Sequence, residues 1–124
     1  MGKFDGVLLV SDFDDTLYGE NMQVAPANLT ALNYFTREGG IFTVATGRAH
    51  PTFAPHARCA PINAPVVLSN GSALYDFTAD QMVYETFLPL RVREDLEQVA
   101  RDIPEIGFEA YHHDDIYVYQ PNFV

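Results

Sequence analysis

Cations are scarce in this chain. Its 124 residues hold 7 Lys and Arg against 17 Asp and Glu, a formal net charge of −10. Lysine occurs once, at Lys3. Such a surface repels phosphate backbones and anionic membranes, so neither nucleic acid nor a membrane is expected as a partner. Cysteine also occurs once, at Cys59, which excludes an internal disulfide and any CxxC motif. Long apolar runs are missing as well. The stretch after Lys3 is too short for the core of a signal peptide. Nothing approaches the ~20 apolar residues of a membrane span. A cytoplasmic location is the resulting expectation.

What is present suits a packed domain. The chain is 48% hydrophobic and 13% aromatic, which excludes the disordered class. The length fits one domain, or one and a fraction. Gly6 to Val10 is continuously apolar, the pattern of a strand buried on both faces. Residues 13–25 read as a loop. Pro26 fits the first turn of a helix, Leu29, Leu32 and Phe35 follow at helical spacing, and Gly39-Gly40 supply a stop. Ile41 to Ala45 is a second β-rich run, ending at Thr46-Gly47-Arg48. Residues 49–64 contain Pro51, Pro55 and Pro61, so any helix there is short or irregular. Pro65 to Ser69 is a third apolar run, closed by Asn70-Gly71.

Beyond it, Ala73–Phe77 and Met82–Phe87 read as strands around a turn at Thr78-Ala79-Asp80. Leu90, Leu96, Val99, Ala100 and Ile103 mark a helix over 91–103. Gly107–Tyr111 and Ile116–Tyr119 flank the tetrapeptide HHDD, as in a hairpin. The first half reads as βαβ units feeding a parallel sheet, the second as α+β. A soft boundary falls at 78–90, and no internal repeat is visible.

Three aspartates crowd the end of the first run: Asp12, Asp14 and Asp15, with no Lys or Arg beside them in sequence. In an extended chain, Asp12 and Asp14 point to one side. They would sit at the carboxyl end of a parallel strand, where open α/β sheets place ligands. Two convergent carboxylates need a cation or a shared proton. Hard oxygen ligands favour Mg²⁺, commonly held by a few carboxylates and a substrate phosphate. The plainer reading is a solvated acidic turn with Asp15 as a helix cap. If the first two strands are neighbours, Thr46 faces the same crevice. Its hydroxyl and a backbone N–H freed by Gly47 suit a phosphoryl oxygen; a helix cap at Thr46 is the plainer alternative.

The three runs end in DFDDTL, TGR and SNG, in that order. Together these resemble the haloacid dehalogenase superfamily of phosphohydrolases, in particular its subfamily IIB, Cof-type sugar-phosphate phosphatases with a large α/β cap. DFDDTL resembles that family's first motif, VATGR its second, and VVLSNGSALYD (66–76) the segment leading to the cap. The resemblance implies a Rossmann-like α/β core, a parallel sheet flanked by helices, over residues 1–82. It implies the beginning of an inserted α/β cap over 83–124.

It further implies Asp12 as nucleophile, Asp14 as general acid and base, and Mg²⁺ held by Asp12 and Asp14, the latter through its main-chain carbonyl. Phe13, Asp15, Thr46 and Gly47 would bind phosphate, with Arg48 and Asn70 as candidate substrate contacts. Asp15 stands where many family members carry glycine. The expected activity is Mg²⁺-dependent hydrolysis of small phosphate monoesters, the partner being a small phosphorylated metabolite.

The family's phosphate-neutralising Lys and second acidic motif find no match here. Asp114-Asp115 precedes an apolar run instead of ending one. The cap reads as stopping partway, at Phe123-Val124. The chain therefore reads as an N-terminal portion, to be completed by a missing C-terminal part or by self-association, and a poor catalyst alone. A phosphomutase shares the first motif. A receiver-like phosphoacceptor shares the acidic pair but needs an Asp ending its third strand and a later Lys. A transition-metal site around His112, His113, Asp114 and Asp115 is disfavoured, since adjacent strand histidines face opposite ways.

Overall fold

A computed structural model describes residues 1–120. The chain forms two compact units, Met1–Glu85 and a second from Thr86 onward. The remaining four residues of the expected cap segment, including Phe123-Val124, lie outside the described residues.

The first unit is built on one five-stranded sheet in sequence order. Strand β1 (Leu8–Asp12) pairs in parallel with β2 (Ile41–Ala45), and β2 with β3 (Val66–Leu68). Strands β4 (Ala73–Asp76) and β5 (Gln81–Glu85) then extend the sheet antiparallel. The hairpin read from sequence thus continues the core sheet.

Helix α1 (Pro26–Arg37) makes the crossover from β1 to β2, with Pro26 at its first turn. The two glycines end it as expected. Gly39 takes φ +89, its N–H donates to Thr36 O (3.1 Å), and that of Gly40 to Phe35 O (3.0 Å). These two bonds are the Schellman pattern, and they satisfy carbonyls the helix would leave open. Between β2 and β3 the proline-rich segment holds only a one-turn helix α2 (His50–Phe53) and a 3₁₀ turn, Ala54–His56. Asn63 stitches this segment to β2, its Oδ1 accepting the Phe42 N–H (2.7 Å).

The core gathers Phe13, Leu17, Val24, Leu32, Phe42, Val44, Phe53, Val66, Leu68 and Ala73. Fully burying one such side chain contributes roughly 1.5–3 kcal/mol. One expectation fails. The apolar run of β1 is not buried on both faces: Leu8, Leu9 and Val10 are 59%, 42% and 46% exposed. The cause is position. Among the described residues, strand β1 lies at the edge of the sheet, paired on the β2 side alone.

In the second unit, helix α3 (Val92–Asp102) carries an apolar stripe, and β6 (Phe108–His112) pairs antiparallel with β7 (Asp115–Tyr119). The tip is the two-residue turn His113-Asp114, with His113 at φ 53. Tight hairpin turns require such left-handed residues. Because His113 belongs to the turn and not the strand, its ring meets that of His112 at 4.2 Å. Val92, Leu96, Ala100, Phe108 and Tyr119 line an open groove of about 790 Å³. Among the described residues, no helix is long and apolar enough to cross a membrane.

Candidate active site

The alternation anticipated for DFDD is present. Phe13 is fully buried, while Asp12 and Asp14 on either side of it are exposed. The Phe13 ring stacks on Tyr18 (4.7 Å) and meets Phe53 edge-on (5.0 Å). This aromatic anchor pins the chain as it leaves β1 and turns both carboxylates outward. Asp12 is in register with Ala45. Thr46 therefore follows immediately on the neighbouring strand, at the same carboxyl edge of the sheet.

Each acid has a distinct environment. Asp12 Oδ1 accepts the N–H of Phe13 (2.7 Å), and its Oδ2 accepts the hydroxyl of Thr16 (3.3 Å). Asp14 is held by a fork. Arg48 Nε donates to Oδ2 (2.9 Å) and Nη2 to Oδ1 (2.6 Å). Bidentate guanidinium–carboxylate pairs are among the strongest charge-assisted hydrogen bonds. These bonds hold the Asp14 carboxyl below the ordinary carboxylate value, against a smaller opposing effect of burial. The Arg48 guanidinium is itself placed by the Phe13 ring (5.3 Å) and by the Thr52 carbonyl (3.1 Å).

Asp15 adopts φ 59, the left-handed conformation that glycine takes most readily. Aspartate is among the side chains that tolerate it, which accounts for Asp at this position. The Asp15 N–H donates to the Tyr18 carbonyl (3.0 Å). The N–H groups of Phe13 and Asp15, expected to face a phosphate, are thus both spent within the loop. Asp15 caps no helix, since α1 begins only at Pro26.

Thr46 is buried at 6% exposure, and its Oγ accepts the Arg48 N–H (3.1 Å). The hydroxyl proton remains to be donated elsewhere. Thr46 is not a helix cap either; Ala49 precedes α2. Gly47 is exposed, and Asn70 packs against it, its backbone N–H donating to the Thr46 carbonyl (3.2 Å).

The fold thus brings Asp12, Asp14, Thr46, Gly47, Arg48 and Asn70 to one end of three parallel strands. Sequence reading missed the partnership of Arg48 with Asp14. The TGR ending the adjacent run carries the signal, an arginine at the carboxyl end of the strand beside that of the aspartates.

The donor set around Asp12 consists of oxygens, the chemistry that suits Mg²⁺ and not a soft metal. Among the described residues, no group of three or more His, Cys, Asp or Glu is placed to hold a metal ion. HHDD forms no such cluster among them. Cys59 is a structural thiol: burial pushes its pKa up, away from the reactive thiolate.

Comparison with known proteins agrees with this architecture. A Mycoplasma pneumoniae protein provisionally named a phosphatase is 31% identical over 80 residues, which cover 64% of this chain and 28% of that protein. A solved phosphatase of the haloalkanoate dehalogenase superfamily from Bacteroides thetaiotaomicron superposes with TM-score 0.78 at 19% identity, covering 94% of this chain and 42% of that one. A subclass IIB sugar phosphatase of the superfamily gives TM-score 0.75 at 18% identity, over 94% of this chain and 45% of its own. At such identities the two structures establish fold. The chain spans less than half the length of any of these three. Residues 9–124 match the sequence profile of the haloacid dehalogenase-like hydrolases, and the chain belongs to that family.

Proposed function

We propose that this chain carries the nucleophilic part of a Mg²⁺-dependent phosphatase acting on small phosphate monoesters of the sugar-phosphate kind. The observation that carries this reading is the pair Asp12 and Asp14, turned outward around buried Phe13 at the carboxyl edge of the sheet.

An Asp12 carboxylate oxygen attacks phosphorus, and the bond from phosphorus to the ester oxygen breaks. Asp14 delivers a proton to the leaving oxygen, so an alcohol departs and an aspartyl-phosphate remains. Water then attacks phosphorus, Asp14 takes its proton, and phosphate leaves while Asp12 is restored. With Arg48 donating to both of its oxygens, Asp14 holds its negative charge. Acting as an acid requires it to turn from Arg48 toward the ester. Thr46 offers its hydroxyl proton to a phosphoryl oxygen. The Asp12 carboxylate and the Asp14 main-chain carbonyl would hold Mg²⁺, which when bound offsets negative charge between carboxylate and phosphoryl group.

Nothing described here supplies a second cation beside Asp12, and the only lysine is Lys3. Very slow ester turnover is therefore expected of the 124-residue chain by itself. Robust Mg²⁺-dependent turnover by that chain would reject this part of the reading. The nucleophile is tested separately, by treating the chain with acetyl phosphate and Mg²⁺ and mapping the acyl phosphate formed. Label on Asp12, lost in Asp12→Asn, is the expected result. Label on a different aspartate, or labelling that survives Asp12→Asn, would point to a receiver-like phosphoacceptor instead.

A further inference from the structure

The turn after β3 is conformationally expensive. Ser69, Asn70 and Gly71 adopt φ values of 49, 55 and 95, three left-handed residues in succession. Asparagine enters that region with modest difficulty, but serine seldom does. Strain of this kind persists only where its surroundings enforce it, and it gathers at functional sites.

The surroundings here are the Thr46–Arg48 loop. The Ser69 N–H donates to the Arg48 carbonyl (2.9 Å), and the Asn70 N–H to the Thr46 carbonyl (3.2 Å). Two successive N–H groups thus grip both sides of Gly47. The Asn70 side chain completes the grip. A Cβ on Gly47 would lie 3.0 Å from Asn70 Oδ1, closer than such atoms normally approach. The two glycines serve different ends. Around Gly71 a Cβ would meet nothing within 4 Å, so it is glycine for its dihedral. Gly47 has no left-handed φ, so it is glycine for space.

We propose that Ser69-Asn70-Gly71 is a positioning clamp, which spends backbone strain to fix the Thr46-Gly47-Arg48 loop in the shape that presents the Thr46 hydroxyl. The role in phosphate binding rests on the function proposed above; the clamp itself does not. Asn70 acts through the loop and is a positioning residue.

The clamp predicts opposite signs for stability and binding. In Asn70→Gly the left-handed cost disappears and the wedge against Gly47 is lost. The melting temperature should hold or rise. Affinity for inorganic phosphate in the presence of Mg²⁺, read by titration calorimetry, should fall about tenfold, the usual scale for loss of a supporting residue. Unchanged affinity in Asn70→Gly would overturn the proposal.

A double-mutant cycle tests the clamp without any ligand. Gly47→Ala should lower the melting temperature by several degrees in the parent, and by less than half as much in the Asn70→Gly background. Equal losses in both backgrounds would overturn the clamp. A parent chain that binds no phosphate, yet shows this coupling, would reject the phosphate-site reading and leave the clamp standing.

Discussion

Strands β1 and β2 lie side by side in parallel register and are spelled with similar residues, yet they meet opposite environments. In β2, Phe42, Thr43 and Val44 are all buried. In β1, Leu8, Leu9 and Val10 stand substantially in solvent. Their carboxyl ends differ in the same sense: Thr46 is buried after β2, and Asp12 is exposed at the end of β1. A continuous apolar run therefore encodes a strand without encoding its neighbours. Among the described residues β2 lies inside the sheet, flanked on both sides, and β1 at its edge, flanked on one.

The contrast can be broken most forcefully at Phe42. Phe42→Ala should cost about 3–5 kcal/mol in urea unfolding, since it empties a filled core site. Leu9→Ala on the neighbouring strand should cost under about 1 kcal/mol, as expected for exposed positions. Comparable losses at the two sites would mean that β1 is covered in solution. Thr46→Val keeps shape but leaves the Arg48 N–H without its acceptor. A loss of about 1–3 kcal/mol is expected by the same measurement.

A smaller effect concerns Arg48, whose partner Asp14 is part-exposed. Arg48→Met should cost within about 1 kcal/mol at neutral pH. The Asp14 carboxyl is held below its ordinary value, so the folded state binds that proton less readily than the unfolded chain. The pair's contribution is then fully present above the ordinary carboxylate range, about pH 4, and is lost as pH falls through the lower folded value. Melting temperature followed from neutral pH to pH 3 should show a shallower acid decline in Arg48→Met. An identical decline would separate Asp14 from Arg48. The smallest change is expected from Leu9→Lys, within about 0.5 kcal/mol in stability. Sedimentation should nonetheless show less self-association, because a charge on an edge strand opposes strand-to-strand pairing.

Local signals carried the sequence reading far. Pro26, the Leu29–Leu32–Phe35 stripe and Gly39-Gly40 delimit α1 because each acts within a turn or two of the backbone. The HHDD tip was legible because a two-residue hairpin is made from adjacent residues. The outward aim of Asp12 and Asp14 followed from the period of an extended chain, with Phe13 between them. What stayed hidden depends on contacts between distant residues. The edge position of β1, the fork of Arg48 on Asp14, and the pressure of Asn70 on Gly47 each join separate strand ends. Asp15 lies between these cases. Its departure from the family's glycine was visible in sequence, but its tolerance became clear only with its left-handed backbone.

The edge position of β1 also bears on the order of events during synthesis. The β6–β7 hairpin joins close neighbours across His113-Asp114 and can zip in roughly 1–10 μs once exposed. Strand β1 must wait for Ile41 to meet Leu8, across a loop that contains the whole of α1. Non-local parallel pairing of this kind is slow, because loop closure is costly before any contact rewards it. At about 5–20 residues per second, the ribosome takes seconds to reach β2. Among the described residues, strand β1 thus waits longest for its partner.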